Sequence, residues 1–137
     1  MLMMVSAIFV SMPGIAVAAK LVAHVNLSNQ TMTVKKNGRT IHRWKVSSGR
    51  KGYRTPTGTY SAKRMHRMWH SRKYNMSPMP YSIFFRGGYA IHGTNYVSRL
   101  GRPASHGCIR LHTAHARKLY DLTRQVGRGN MRVRITY

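Results

Sequence analysis

Between Leu21 and Lys36 the chain alternates apolar and polar residues over two runs, Leu21 to Asn26 and Gln30 to Lys36, with Ser28-Asn29 between them and Asn37-Gly38 after. A period of two puts the apolar residues on one side of an extended chain, and Asn-Gly is a turn dipeptide, so these runs are read as strands joined by tight hairpin turns. A third strand is expected near Thr40 to Ser47. The segment from Ser47 to Tyr60 holds Gly49, Gly52, Pro56 and Gly58 and reads as a shaped loop leading into another strand. Tyr81 to Phe85 and Gly88 to Ile91 read as strands, the second carrying His92 at its end, and Met131 to Tyr137 as a final strand. From Met65 to Pro80 methionines, histidines and aromatics follow no clean period, and this stretch is expected to be a long loop or flap over a groove.

One helix interrupts this pattern. Thr113 is a candidate N-cap, Ala116, Leu119, Tyr120 and Val126 form an apolar face, and Gly127 stops the run. With 137 residues the chain has the size of one ordinary domain. The expected fold class is mainly β, with one principal α-helix and no internal repeat.

Residues 1–19 carry no charged side chain, are rich in apolar and small residues, and end on Ala16-Val17-Ala18 before Lys20. This is a secretory signal pattern with an A-x-A cleavage site, leaving 20–137 as the mature domain. The run is short and broken by Pro13 and Gly14, so no stable membrane span is expected in the mature protein. Export implies a periplasmic or extracellular location.

Twenty-four lysines and arginines stand against a single acid, Asp121, for a formal net charge of +23. Paired-carboxylate glycosidase chemistry and carboxylate-bound calcium or magnesium need acidic oxygens that this chain lacks. A zinc site would have to be built almost wholly from histidine, and His66 with His70 or His112 with His115 read better as scattered surface residues than as a metal set. No metal and no cofactor is expected. Such a polycation is drawn to polyanions, and anionic envelope polymers are the expected partners. Nucleic-acid binding would suit the charge, yet it explains neither an export signal nor the surroundings of the single cysteine.

That cysteine, Cys108, lies in Ser105-His106-Gly107-Cys108-Ile109-Arg110, behind a second histidine in Ile91-His92-Gly93-Thr94. Glycine beside it, histidine two residues before and arginine two after make a poor apolar core, and neighbouring cations favour the reactive thiolate. Acyl transfer needs a nucleophile, a proton carrier and oxyanion donors. Cys108 is the only thiol; His92 and His106 are both candidates for the base; the amides around Gly107 and Cys108 are candidates for the oxyanion. With so few acids, a backbone carbonyl or a hydroxyl must orient the histidine. Arg110 shares the side of Cys108 on an extended strand, where it can favour the thiolate or hold an anionic substrate group.

The stretch from Ile91-His92-Gly93-Thr94 to Ser105-His106-Gly107-Cys108-Ile109-Arg110-Leu111, together with Arg54-Thr55-Pro56-Thr57-Gly58-Thr59-Tyr60, Met79-Pro80-Tyr81 and Leu119-Tyr120, closely resembles the L,D-transpeptidase catalytic domain, also called the YkuD domain. The resemblance implies a β-sandwich-like catalytic fold and action on peptidoglycan stem peptides outside the cytoplasm. It implies that Cys108 attacks a stem tetrapeptide, expels the terminal D-alanine and holds the peptide as a thioester, which a neighbouring amine resolves into a cross-link or water into a shortened stem. It places the proton carrier on His92, the orienting carbonyl on Gly93, a supporting histidine on His106 and substrate contacts on Arg110, Tyr81 and Ser105.

Overall fold

The structure, a computed structural model, describes residues 19–137 together with Ile8. The expected leader, residues 1–19, falls outside the described residues but for Ile8 and Ala19. Among the described residues nine strands and one α-helix follow in the order β1 (Leu21–Asn26), β2 (Thr31–Lys36), β3 (Arg39–Lys45), β4 (Gly58–Ser61), β5 (Arg64–Ser71), β6 (Ser77–Arg86), β7 (Tyr89–Thr94), β8 (Ile109–His112), α1 (Thr113–Val126) and β9 (Met131–Thr136).

They form two sheets, β3-β2-β1-β9-β4 and β5-β6-β7-β8. The alternation read in β1 and β2 is what pairs them antiparallel, Ala23 opposite Val34 and Val25 opposite Met32. β9 then joins β1 in parallel, Ala23 opposite Val133, so the two ends of the domain meet inside one sheet. Leu21, Ala23, Val25, Met32, Val34, Met131, Val133 and Ile135 are buried on its inner face, where they meet Ile83, Phe85, Ile91, Ile109 and Leu111 of the second sheet and Ala116, Leu119 and Tyr120 of α1. Each of the Val, Leu, Ile, Met and Phe side chains among them contributes roughly 1.5–3 kcal/mol by leaving water, and in a chain with one acid this burial carries the fold.

Three details of the sequence reading are corrected. Met65 to Pro80 is not a loop: it is most of β5, a 3-10 turn at Arg72–Tyr74 and the start of β6, paired from Arg64 opposite Phe84 to Ser71 opposite Ser77. His66 and His70 therefore lie on a strand. Thr113 is the first helical residue and not the cap; the His112 side chain accepts from the Ala114 N–H at 3.1 Å and caps the helix instead. His92 sits inside β7 and not at its end.

Tyr81 has φ 54, a left-handed conformation that a side chain rarely adopts. It turns the β6 backbone so that Met79 packs with Phe84 and Ala90 on the outer face of the second sheet, while the Tyr81 ring folds inward, edge-on to Tyr120 with ring centroids 5.6 Å apart.

Candidate active site

β7 and β8 run parallel, with Ile91 opposite Ile109 and His92 opposite Arg110. Ile91, Ile109 and Leu111 point into the core, so His92, Arg110 and Cys108, which shares the side of Arg110, are left on the outer face. There they open into one cleft of about 650 Å³, together with Ser105, His106, Gly93, Tyr89, Tyr74 and Met68. The long β5–β6 hairpin supplies the far wall through Met68, Ser71, Lys73, Tyr74 and the run Ser77 to Pro80.

His92 is only 7% exposed. Its Nδ1 lies 2.7 Å from the Gly93 carbonyl, and since a carbonyl only accepts, the proton sits on Nδ1 and Nε2 keeps its lone pair. Burial pulls its pKa down to about 4; the Gly93 hydrogen bond opposes this, and the Arg110 charge adds to it. The ring is therefore neutral near pH 7 and able to take a proton. Gly93 must be glycine, because a Cβ there would stand 2.9 Å from both the Thr113 Cα and its hydroxyl.

Cys108 is half-buried. Its thiol faces the Gly88 carbonyl at 3.7 Å. Burial raises its pKa above the ordinary thiol value, outweighing the opposing pull of the Ala90 N–H and the Arg110 charge. The neighbouring cations expected to favour the thiolate are thus outweighed by burial: the group rests as a thiol, and loss of its proton must accompany attack.

Arg110 is half-buried beside it, and its Nη1 is buried with no hydrogen-bond partner among the described residues. A guanidinium donor in that state is completed by an anionic or carbonyl oxygen entering the cleft.

The turn that presents Cys108 is held from both sides. The Ser105 hydroxyl, 1% exposed, donates to the Cys108 carbonyl at 2.6 Å and accepts from the Gly107 N–H at 3.0 Å. Gly107 has φ 122, and a Cβ on it would come within 2.5 Å of the Tyr89 ring. The Gly107 amide, one of the two expected to face an oxyanion, thus already serves Ser105.

From the other side Thr55, 3% exposed, donates to the Gly107 carbonyl at 2.7 Å and accepts from the Gly49 N–H at 3.0 Å. Sequence reading gave Thr55 no role of its own, since its partner Gly107 lies 52 residues away. His106 lines the same cleft, stacked on Tyr74 at 4.2 Å and edge-on to Tyr53 at 4.9 Å. Burial first, then Arg50, Arg110 and Lys73, lower its pKa. Tyr53 and Tyr74 were also missed. Tyr81 does not line this cleft. Among the described residues no group of three histidine, cysteine or acidic side chains is placed to hold a metal ion.

A model of the L,D-transpeptidase catalytic domain family matches residues 20–135. No curated protein matches. Among solved structures, the L,D-transpeptidase of Xylanimonas cellulosilytica is 27% identical, with a TM-score of 0.74, over 92% of this chain and 65% of that one. The L,D-transpeptidase of Stackebrandtia nassauensis is 26% identical, with a TM-score of 0.76, over 86% and 56%. One from Mycobacterium smegmatis, 22% identical with a TM-score of 0.76 over 87% and 59%, shares the fold. The chain spans roughly three fifths of the length of these solved chains.

Proposed function

The chain belongs to the L,D-transpeptidase catalytic domain family, and from that premise we propose that it is an exported thiol acyltransferase acting on peptidoglycan stem peptides outside the cytoplasm. The observation that carries the reading is the common outer face of β7 and β8, where Cys108 and a neutral, carbonyl-anchored His92 open into one cleft.

In the proposed reaction the thiol turns from the Gly88 carbonyl toward His92. Nε2 takes its proton as the sulfur attacks the carbonyl carbon of the L-centre in a stem tetrapeptide. The oxyanion collapses, the carbon–nitrogen bond to the terminal D-alanine breaks, and His92 returns the proton to the departing amine. A thioester on Cys108 remains. An amine of a neighbouring stem then attacks it, giving its proton to His92 and releasing the sulfur, which recovers that proton; the two stems are now joined by an amide. The Gly93 carbonyl does the orienting work that a carboxylate does elsewhere, as a chain with one acid requires. Arg110 offers its unpartnered Nη1 to the substrate oxygens, and His106 and Ser105 hold the nucleophile turn. The strongly positive surface draws the protein to anionic envelope material.

Incubation with a disaccharide tetrapeptide, followed by mass spectrometry of the products, tests the reading. Loss of D-alanine with formation of a dimer, abolished in Cys108→Ala, supports it. Loss without a dimer assigns the same site to L,D-carboxypeptidase chemistry, and no Cys108-dependent product leaves a non-catalytic cationic envelope-binding protein.

A further inference from the structure

The two sheets turn opposite outer faces to solvent. One carries the cleft. On the other, the alternation that buries Val34, Trp44, Val133 and Ile135 points Lys35, Arg43, Lys45, Arg132 and Arg134 outward. The register fixes their layout: Arg43 is opposite Thr33, Thr33 opposite His24, and His24 opposite Arg134, while Lys35 is opposite Val22 and Val22 opposite Arg132. With strands about 4.8 Å apart and residues about 3.3 Å apart along them, the cations spread over a field roughly 14 Å across. Thr31, Thr33 and Thr136 fill the positions between. The fields of Arg134 and Lys35 meet at His24 and, after its burial, hold its pKa down. Nothing among the described residues covers this face, and Lys35, Arg43, Lys45 and Arg134 are exposed.

We propose that the outer face of the β3-β2-β1-β9-β4 sheet is the surface by which this protein docks on an anionic lipid bilayer, which turns its cleft away from the membrane. The cations are distributed in two dimensions over β2, β3 and β9 with no groove among them, so a plane of lipid phosphates meets all of them together, whereas a single linear polyanion meets one row. The Thr33 hydroxyl is a further donor for the same oxygens, whereas Thr31 already donates to Asn29 and Thr136 is paired with His24. Contact is chiefly electrostatic, since among the described residues the exposed large apolar side chains at these strands are Ile41 in β3 and Tyr137 just past β9, while Met68 and Tyr96 line the cleft. The orientation matters only if the acyl-transfer reading holds, because it presents Cys108 toward the wall; the docking itself does not depend on that reading.

The test is sedimentation of the full chain with phosphatidylglycerol-containing vesicles, phosphatidylcholine vesicles and soluble polyphosphate. Each cation near an anionic membrane is worth roughly fivefold in binding. Arg43→Gln with Lys45→Gln and Arg134→Gln is therefore expected to lose about a hundredfold on the anionic vesicles. Arg117→Gln with Lys118→Gln and Arg124→Gln, the same charge change on the exposed side of α1, is expected to stay within about threefold. Cys108→Ala is expected to bind as the wild type does, which separates failure of docking from failure of the chemistry. Equal losses in the two triple variants would overturn the proposal by showing a diffuse attraction. Binding to polyphosphate without binding to anionic vesicles would overturn it in favour of a polymer ligand.

Discussion

Arg110 and Arg134 are the same side chain on opposite faces of one sandwich, and they meet different physics. Arg134 stands in water on the open sheet, where its charge adds to a long-range field that salt screens. Arg110 is drawn into a cleft with Nη1 unsatisfied, beside a thiol and an imidazole that burial has made neutral. The contrast teaches that in this chain charge by itself does not activate the nucleophile. The chain holds twenty-four lysines and arginines, yet burial outweighs the Arg110 charge at the Cys108 thiol, and in the proposed reaction its reactivity comes from a carbonyl-anchored base and a braced turn.

The largest effect that would break the comparison lies on the cleft face. His92→Ala is expected to lower the rate of D-alanine release by about 10²–10⁴-fold, the usual worth of a positioned proton carrier, in a protein that still shows native circular dichroism. A loss of less than tenfold would move the base elsewhere, His106 being the first alternative.

Next in size is a pH effect on stability. The folded pKa of His92, about 4, lies below its unfolded value of 6.5, so the unfolded chain takes up the proton first as pH falls. The contribution is fully present above pH 6.5 and is lost as pH drops toward about 4, amounting to about 3 kcal/mol. Urea unfolding of wild type and His92→Gln between pH 4 and 7 checks it; the two stability curves should differ in slope over that window and run parallel above it.

Thr55→Val is expected to cost about 1–3 kcal/mol, because a buried carbonyl on Gly107 and the N–H of Gly49 lose their shared partner. Since Thr55 also steadies the nucleophile turn, its loss should slow acylation of Cys108 as well as lower the unfolding midpoint. The smallest effect sits on the open sheet. Neutralising Arg43, Lys45 and Arg134 together is expected to change stability within about 0.5 kcal/mol and to leave the acylation rate of Cys108 unchanged, a result read by the same denaturation and mass measurements.

Much of this was legible in the residues, and what was not has physical causes. β1, β2 and α1 announce themselves because each buries one face and solvates the other. β5 does not: His66 and Trp69 are only partly covered and Met68 is exposed, since the hairpin overhangs the cleft and neither face is fully buried. In β6 the left-handed Tyr81 breaks the alternation in mid-strand. Cys108 and His92 were singled out from their neighbours, but the raised thiol pKa was not expected, because Met79, Phe84 and Ala90, the cluster that Cys108 packs against, come from other strands. The grip of Thr55 on Gly107 spans 52 residues, and no local pattern encodes such a partner.

The central claim, that His92 rather than a standing thiolate makes Cys108 reactive, is tested by comparing two reagents at pH 7 by intact mass. Iodoacetamide needs a preformed thiolate; a carbapenem seated in the cleft can use His92 to take the proton as the sulfur attacks. The account predicts carbapenem acylation of Cys108 that collapses in His92→Ala, alongside alkylation slower than that of free cysteine and little changed by the same substitution. Rapid alkylation at neutral pH, or carbapenem acylation indifferent to His92, would contradict it.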